Sequence, residues 1–164
     1  DAPPRVLYAG TVINAQFPAL RCAWLVVPVK QIAQFRHQAS LAPCAVPVLW
    51  QNTLADFLRE GHFWRHLKKM RQHYAQRRQW IEQALTQQGF QVVPQKGGIQ
   101  MVIRMIGDDI AHARKANAAG LAVQALSDWR IRSSGEGGLL LSFTNIVNEG
   151  MARQVAQQLR KALS

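Results

Sequence analysis

His62 and His66 stand four residues apart in a segment of helical period, so their imidazoles share one face. Two imidazoles at that spacing can begin a metal site. The stretch His62-Phe63-Trp64-Arg65-His66 lacks the glutamate that follows the first histidine in metalloprotease helices. No nearby carboxylate or cysteine supplies a third ligand at a known spacing, and no metal is expected. We read His62 as lying at a helix N-terminus and His66 on the solvated side. A second candidate is the run 59–78. It carries Arg59, Arg65, Lys68, Lys69, Arg71, Arg77 and Arg78 against Glu60 alone, a net +6. Such a helix can meet nucleic-acid phosphates. The favoured reading is a solvated face, or one that meets acidic surface elsewhere in the protein. Gly135-Glu136-Gly137-Gly138 is glycine-rich but lacks the Gly-Lys-Ser/Thr ending of a phosphate loop and precedes a strand, so it reads as a turn. Cys22 and Cys44 form no CxxC pair and read as buried free thiols. The five tryptophans (24, 50, 64, 80 and 129) are scattered singly and read as packing residues.

The elements that must position these groups follow from hydrophobic periodicity and punctuation. Residues 5–9 and 23–27 are short apolar runs, expected as strands buried on both faces. Gly10 and Thr11 close the first run and Pro28 the second, with a polar loop containing Pro18 between them. A short helix is expected over 29–39, a hinge or boundary around Pro43 and Pro47, and a second helix over 48–59. From 62 to 88 no proline or glycine intervenes. Phe63, Leu67, Met70, Tyr74, Ile81 and Leu85 form a narrow stripe of helical period, and Gly89 is the natural C-cap. At 1.5 Å per residue this helix is about 40 Å long. Beyond it we expect strands over 90–93, 99–106, 121–126 and 139–143. A helix over 108–119 is capped by Asp108 or Asp109 and ended by Gly120. A terminal helix over 148–163 places Met151, Val155 and Leu159 on its apolar face. Alternating strands and helices favour an α/β layer fold with one helical face.

The 164 residues suit one domain or two small ones, and a 48% hydrophobic fraction excludes wholesale disorder. No apolar stretch reaches the roughly 18 residues of a membrane span. Composition also excludes collagen-like and disulfide-scaffold classes. A net charge of +11 and a pI near 10.9 raise the question of an anionic partner. Without a secretory signal or a disulfide framework, a reducing cytoplasm is expected. The chain opens at Asp1 and not at Met, so a fragment is expected.

The segment from Val6 to Pro28 resembles the cofactor-lysine region of fold type I pyridoxal phosphate proteins. The likeness is closest to the MocR-type regulators of the GntR superfamily, which carry an aminotransferase-like domain behind a winged helix-turn-helix. Their pattern runs approximately G-T-F-S-K-x-L-x-P-x-L-R-x-G-Y-L-V-V-P. Gly10, Thr11, Pro18, Leu20, Arg21, Leu25, Val26, Val27 and Pro28 match it in register. The likeness continues through residues 56–74 and Arg77-Arg78, through Gly97-Gly98-Ile99-Gln100, and into Gly138-Leu139-Leu140-Leu141-Ser142-Phe143-Thr144-Asn145.

The resemblance implies an α/β fold: the small C-terminal domain of a fold type I aminotransferase, with residual large-domain strands and a long connecting helix. Residues 1–48 would be the remnant of the cofactor-binding domain and hinge, and 49–164 the small domain. It implies pyridoxal 5'-phosphate as the family's cofactor, with Thr11 and Arg21 on the phosphate-contacting positions. The lysine that forms the Schiff base falls on Asn14, whose amide is not basic and cannot form an imine. The nearest lysine in sequence, Lys30, lies beyond a complete expected strand. The serine before the lysine is replaced by Ile13, and the arginine that receives a substrate carboxylate in many relatives is absent from Leu140-Leu141-Ser142-Phe143. The expected function is therefore effector sensing and homodimerisation within a transcriptional regulator, without catalysis and without covalent cofactor. DNA would be met through a winged helix upstream, and no membrane is involved. Two rivals stay open: a fragment of a true class I/II pyridoxal-phosphate-dependent aminotransferase, and a basic domain that binds nucleic acid directly.

Overall fold

A computed structural model describes residues 6–11, 22–41, 46–131 and 135–164. The chain divides into two compact units, Asp1–Lys68 and Lys69–Ser164.

In the first unit, β1 (Tyr8–Thr11) and β2 (Ala23–Val26) form an antiparallel ribbon, with Tyr8 opposite Val26 and Thr11 opposite Ala23. A 3-10 turn at Val29–Gln31 leads into α1 (Ile32–Leu41), and α2 (Val48–Arg59) follows. Both strands occur where apolar runs predict them. The first is shifted, so that Gly10 and Thr11 lie inside it and do not close it. The expectation of burial on two faces is not met: Tyr8, Trp24, Leu25 and Val26 are all exposed. A two-stranded ribbon has two faces to cover, and these side chains stay exposed even though α2 residues Leu54 and Leu58 approach the Cys22–Trp24 end. Cys22 is half-buried, not buried, and Cys44 and Pro18 lie outside the described residues.

The long helix α3 runs His62–Gln87, about 39 Å. It ends as its punctuation predicts. Gly89 adopts φ +82°, its amide donates to the Thr86 carbonyl at 2.9 Å, and the Phe90 amide donates to the Leu85 carbonyl at 3.0 Å. This 6→1 and 5→2 pattern is a Schellman ending, and Leu85 and Phe90 bury the hydrophobic contact that accompanies it.

The second unit is a three-stranded antiparallel sheet in the order β3-β5-β4: β3 is Gln100–Met105, β4 is Val123–Ala125 and β5 is Gly137–Ser142. Register aligns Met101, Leu141 and Val123 in one row and Ile103, Leu139 and Ala125 in the next. All six are buried against α3 (Ile81, Ala84, Leu85), α4 (Asp109–Ala118) and α5 (Glu149–Leu163), so the helices cover one face, as expected. The period-2 alternation leaves Gln100, Gln124 and Ser142 on the opposite face, exposed, with Leu140 half-buried beside them.

Side chains cap the N-termini of α4 and α5, the first of them at Asp108, one of the two expected caps. Asp108 accepts from the Ala111 amide at 3.0 Å, and Asn148 from the Met151 amide at 2.8 Å. On α5, Met151 and Val155 are only half-buried, and the residues sunk into the core are Ala152, Ala156 and Leu159. Small side chains let the helix axis approach its neighbours, which rotates the seam by one position. The strand expected over 90–93 reduces to a bridge between Val92 and Ile103, with the Val93 amide donating to the Val102 carbonyl. Gly137 and Gly138 open β5 and do not form a turn. A Cβ on Gly138 would lie 2.9 Å from the Ile103 carbonyl oxygen. The tryptophans also depart from expectation. Trp80 packs against the core, while Trp24, Trp50, Trp64 and Trp129 are exposed.

Candidate functional site

The ribbon β1–β2 presents the motif that carries the candidate chemistry. Thr11 ends β1, and its hydroxyl donates to the Cys22 carbonyl at 3.1 Å, which clamps the two ends of the intervening loop. The register thus sets Cys22, the residue after Arg21, beside Thr11. Asn14 and Arg21 lie outside the described residues. Gly10 is required by close approach: a Cβ there would sit 2.3 Å from the Trp24 indole, which lies across the ribbon from it. Beside the ribbon is a depression of about 430 Å³ lined by Cys22, Trp24, Val46, Leu54 and Leu58. Lys30, the nearest lysine to Asn14, stands exposed in the 3-10 turn after β2, past the Tyr8–Val26 end of the ribbon and away from Thr11.

The donor set fits one part of a pyridoxal phosphate site and not the other. A threonine hydroxyl and an arginine fork are suitable phosphate donors by type. A carboxamide at position 14 is no amine, and no Schiff base can form there.

On β5, Leu140 faces away from the core, across from Val102 and Gln124. Ser142 hydrogen-bonds Thr144 (3.0 Å between hydroxyl oxygens) and donates to the Ile99 carbonyl at 3.4 Å. The strand carries no cation. The cation nearest to it in register is Arg104, opposite Gly138, and it is paired with Glu136 at 2.8 Å.

His62 and His66 have separate surroundings. His62 faces Glu60 at 3.0 Å and the Arg65 guanidinium at 2.9 Å, and His66 is half-buried, not on the solvated side. No group of three metal-binding side chains exists among the described residues.

The sequence singled out Asp109 only as an alternative cap; its buried role was missed. Asp109 is 3% exposed, and its Oδ2 accepts from the Gly138 amide at 2.9 Å and the Ser127 amide at 3.1 Å. Burial pushes its pKa up. The Gly138 amide, the Ser127 hydroxyl and amide, and the Arg130 charge outweigh that and hold it below the ordinary carboxylate value. Only one of two consecutive aspartates can cap a helix, and that was the sole signal that the other needed a partner. Asn117 was likewise missed. Its side chain donates to the Val123 carbonyl at 3.0 Å and accepts from the Val123 amide at 2.9 Å, closing the outer edge of β4.

The profile of the family "Aminotransferase class I and II" matches residues 14–136. The chain belongs to this family. Among its relatives, the probable rhizopine catabolism regulatory protein MocR of Rhizobium meliloti is 32% identical, over 99% of this chain and 34% of that protein. The HTH-type pyridoxine biosynthesis transcriptional regulator PdxR of Corynebacterium glutamicum is 24% identical over 99% of the chain and 36% of its own length. The chain thus spans about a third of the curated relatives it matches. Among solved structures, the kynurenine aminotransferase of Pyrococcus horikoshii superposes with a TM-score of 0.84 at 20% identity, over 99% of this chain and 41% of that one. That likeness establishes the fold type I aminotransferase architecture. No helix in the described residues is long and apolar enough to cross a membrane.

Proposed function

We propose that this aminotransferase-family chain is the effector-sensing, dimer-forming part of a MocR-type transcriptional regulator and that it does not catalyse transamination. What supports this reading is that residue 14, where the resemblance puts the Schiff-base lysine, is an asparagine, in a chain that is similar to a regulator over 99% of its length. In this reading residues 1–48 belong to the cofactor-binding domain and hinge and 49–164 to the small domain. Thr11 and Arg21 serve as phosphate donors, so a phosphorylated ligand is held without a covalent bond. The intact regulator works as a homodimer in the cytoplasm and meets its operator through a winged helix outside this chain. The rival reading, part of a true aminotransferase, draws on the same family match.

The test is titration with pyridoxal 5'-phosphate, followed by borohydride reduction and peptide mass mapping. The expected outcome is no stoichiometric reduced adduct at any single residue. One stable adduct at one site, with a saturable visible band, overturns the proposal in favour of the enzyme.

A further inference from the structure

The cations of the 59–78 run separate into two groups once their partners are known. Arg59 pairs with Asp56 at 2.8 Å. Arg65 donates to the Glu60 carbonyl, Arg77 to the Thr144 carbonyl, and Arg78 faces Glu82 at 3.4 Å. Lys68, Lys69 and Arg71 are exposed and lie within ion-pair distance of no carboxylate among the described residues. No acidic residue occurs from Gly61 to Ile81. Arg65, Lys68, Lys69 and Gln72 follow an i, i+3, i+4, i+7 spacing, so one face of a continuous helix carries cations and amides over about 10 Å. A nucleic-acid duplex offers about six phosphates along that length.

From this we propose that the exposed side of α3 centred on Lys68, with Lys69 on one flank and Arg71 on the other, binds the phosphate backbone of duplex DNA, independently of the effector-sensing reading above. Charge complementarity selects the partner. A single-strand site needs a run of exposed rings on which successive bases stack, and Trp64 is the one exposed aromatic in this stretch of the described residues. The contact carries no base readout, so it positions the protein on DNA and does not select sequence.

The test is fluorescence anisotropy of the 164-residue chain with a labelled mixed-sequence duplex of about 20 base pairs, between 50 and 200 mM NaCl. Each phosphate contact contributes about −0.9 to the slope of log K against log salt. The triple variant Lys68→Gln, Lys69→Gln, Arg71→Gln should therefore flatten the slope by about 2 to 3. The single variant Lys69→Gln should flatten it by about 1. A control triple with the same loss of charge, Lys115→Gln, Arg160→Gln, Lys161→Gln, should change it by less than 1. All of the substituted residues are exposed, and circular dichroism is the check that each variant folds. The proposal is overturned by absence of binding at 50 mM NaCl, by equal effects of the two triples, or by tighter binding to the corresponding single strand.

Discussion

The Asp109 carboxylate accepts a hydrogen bond at 2.9 Å from the amide of Gly138, 29 residues further along the chain. It ties the first turn of α4 to the first residues of the central strand. A second bond to the Ser127 amide adds the turn after β4. One buried oxygen therefore fixes three elements at one end of the sheet.

Removing it leaves two amides without an acceptor. Asp109→Ala should cost about 1–3 kcal/mol for the unsatisfied donors. At this chain length that lowers Tm by about 2–4 °C per kcal/mol, measurable by thermal melts followed by circular dichroism.

The same group predicts an acid-sensitive limb. Its pKa is depressed in the folded state, so its stabilisation is fully present above the unfolded value near 3.9 and is lost as pH falls through the folded value. Urea midpoints of the parent chain should fall over that range. Asp109→Asn should flatten this part of the pH profile while lowering stability at pH 7.

Gly138 serves packing as well as hydrogen bonding. Because a Cβ would meet the Ile103 carbonyl at 2.9 Å and the Val102 side chain at 3.2 Å, Gly138→Ala should destabilise by about 1–3 kcal/mol. Gly97→Ala, with open space around the added methyl, is the matched control in chemical denaturation.

Asn117 protects an edge. Asn117→Ala frees the Val123 amide and carbonyl on the outer side of β4, and it should lower stability by about 1–3 kcal/mol. Light scattering on heating should also show earlier association, since an open strand edge pairs with other chains.

Asn14→Lys tests the chemistry of the motif directly. Supplying an amine at that position should create a borohydride-reducible adduct with pyridoxal phosphate that maps to residue 14, absent from the parent chain. No adduct in the variant would show that the surrounding donors do not hold the cofactor.

Much of this architecture was legible from residue order. The helix ends at Gly89 and Gly120, the cap Asp108 and the start of the last helix at residue 148 depend on backbone groups within four or five residues. The α3 stripe and the β5 run are equally local patterns. The short strand over 90–93 failed because its pairing depends on β3, and the α5 face was incomplete because Ala152 and Ala156, which sink deeper than Met151 and Val155, were not singled out. The partners of the basic run were not legible either. Arg77 reaches a carbonyl 67 residues away, and only such contacts separate the engaged cations from Lys68, Lys69 and Arg71.

Residue types and spacing thus specify the elements, most of their ends and the family pattern, because each is a property of a few neighbouring residues. Burial and pairing belong to the fold. The apolar runs of β1 and β2 look like core strands yet stand exposed, and Asp109 looks like a surface cap yet is buried. A side chain's environment is set by what arrives from distant parts of the chain, and hydrophobic periodicity says which face seeks cover without saying what covers it.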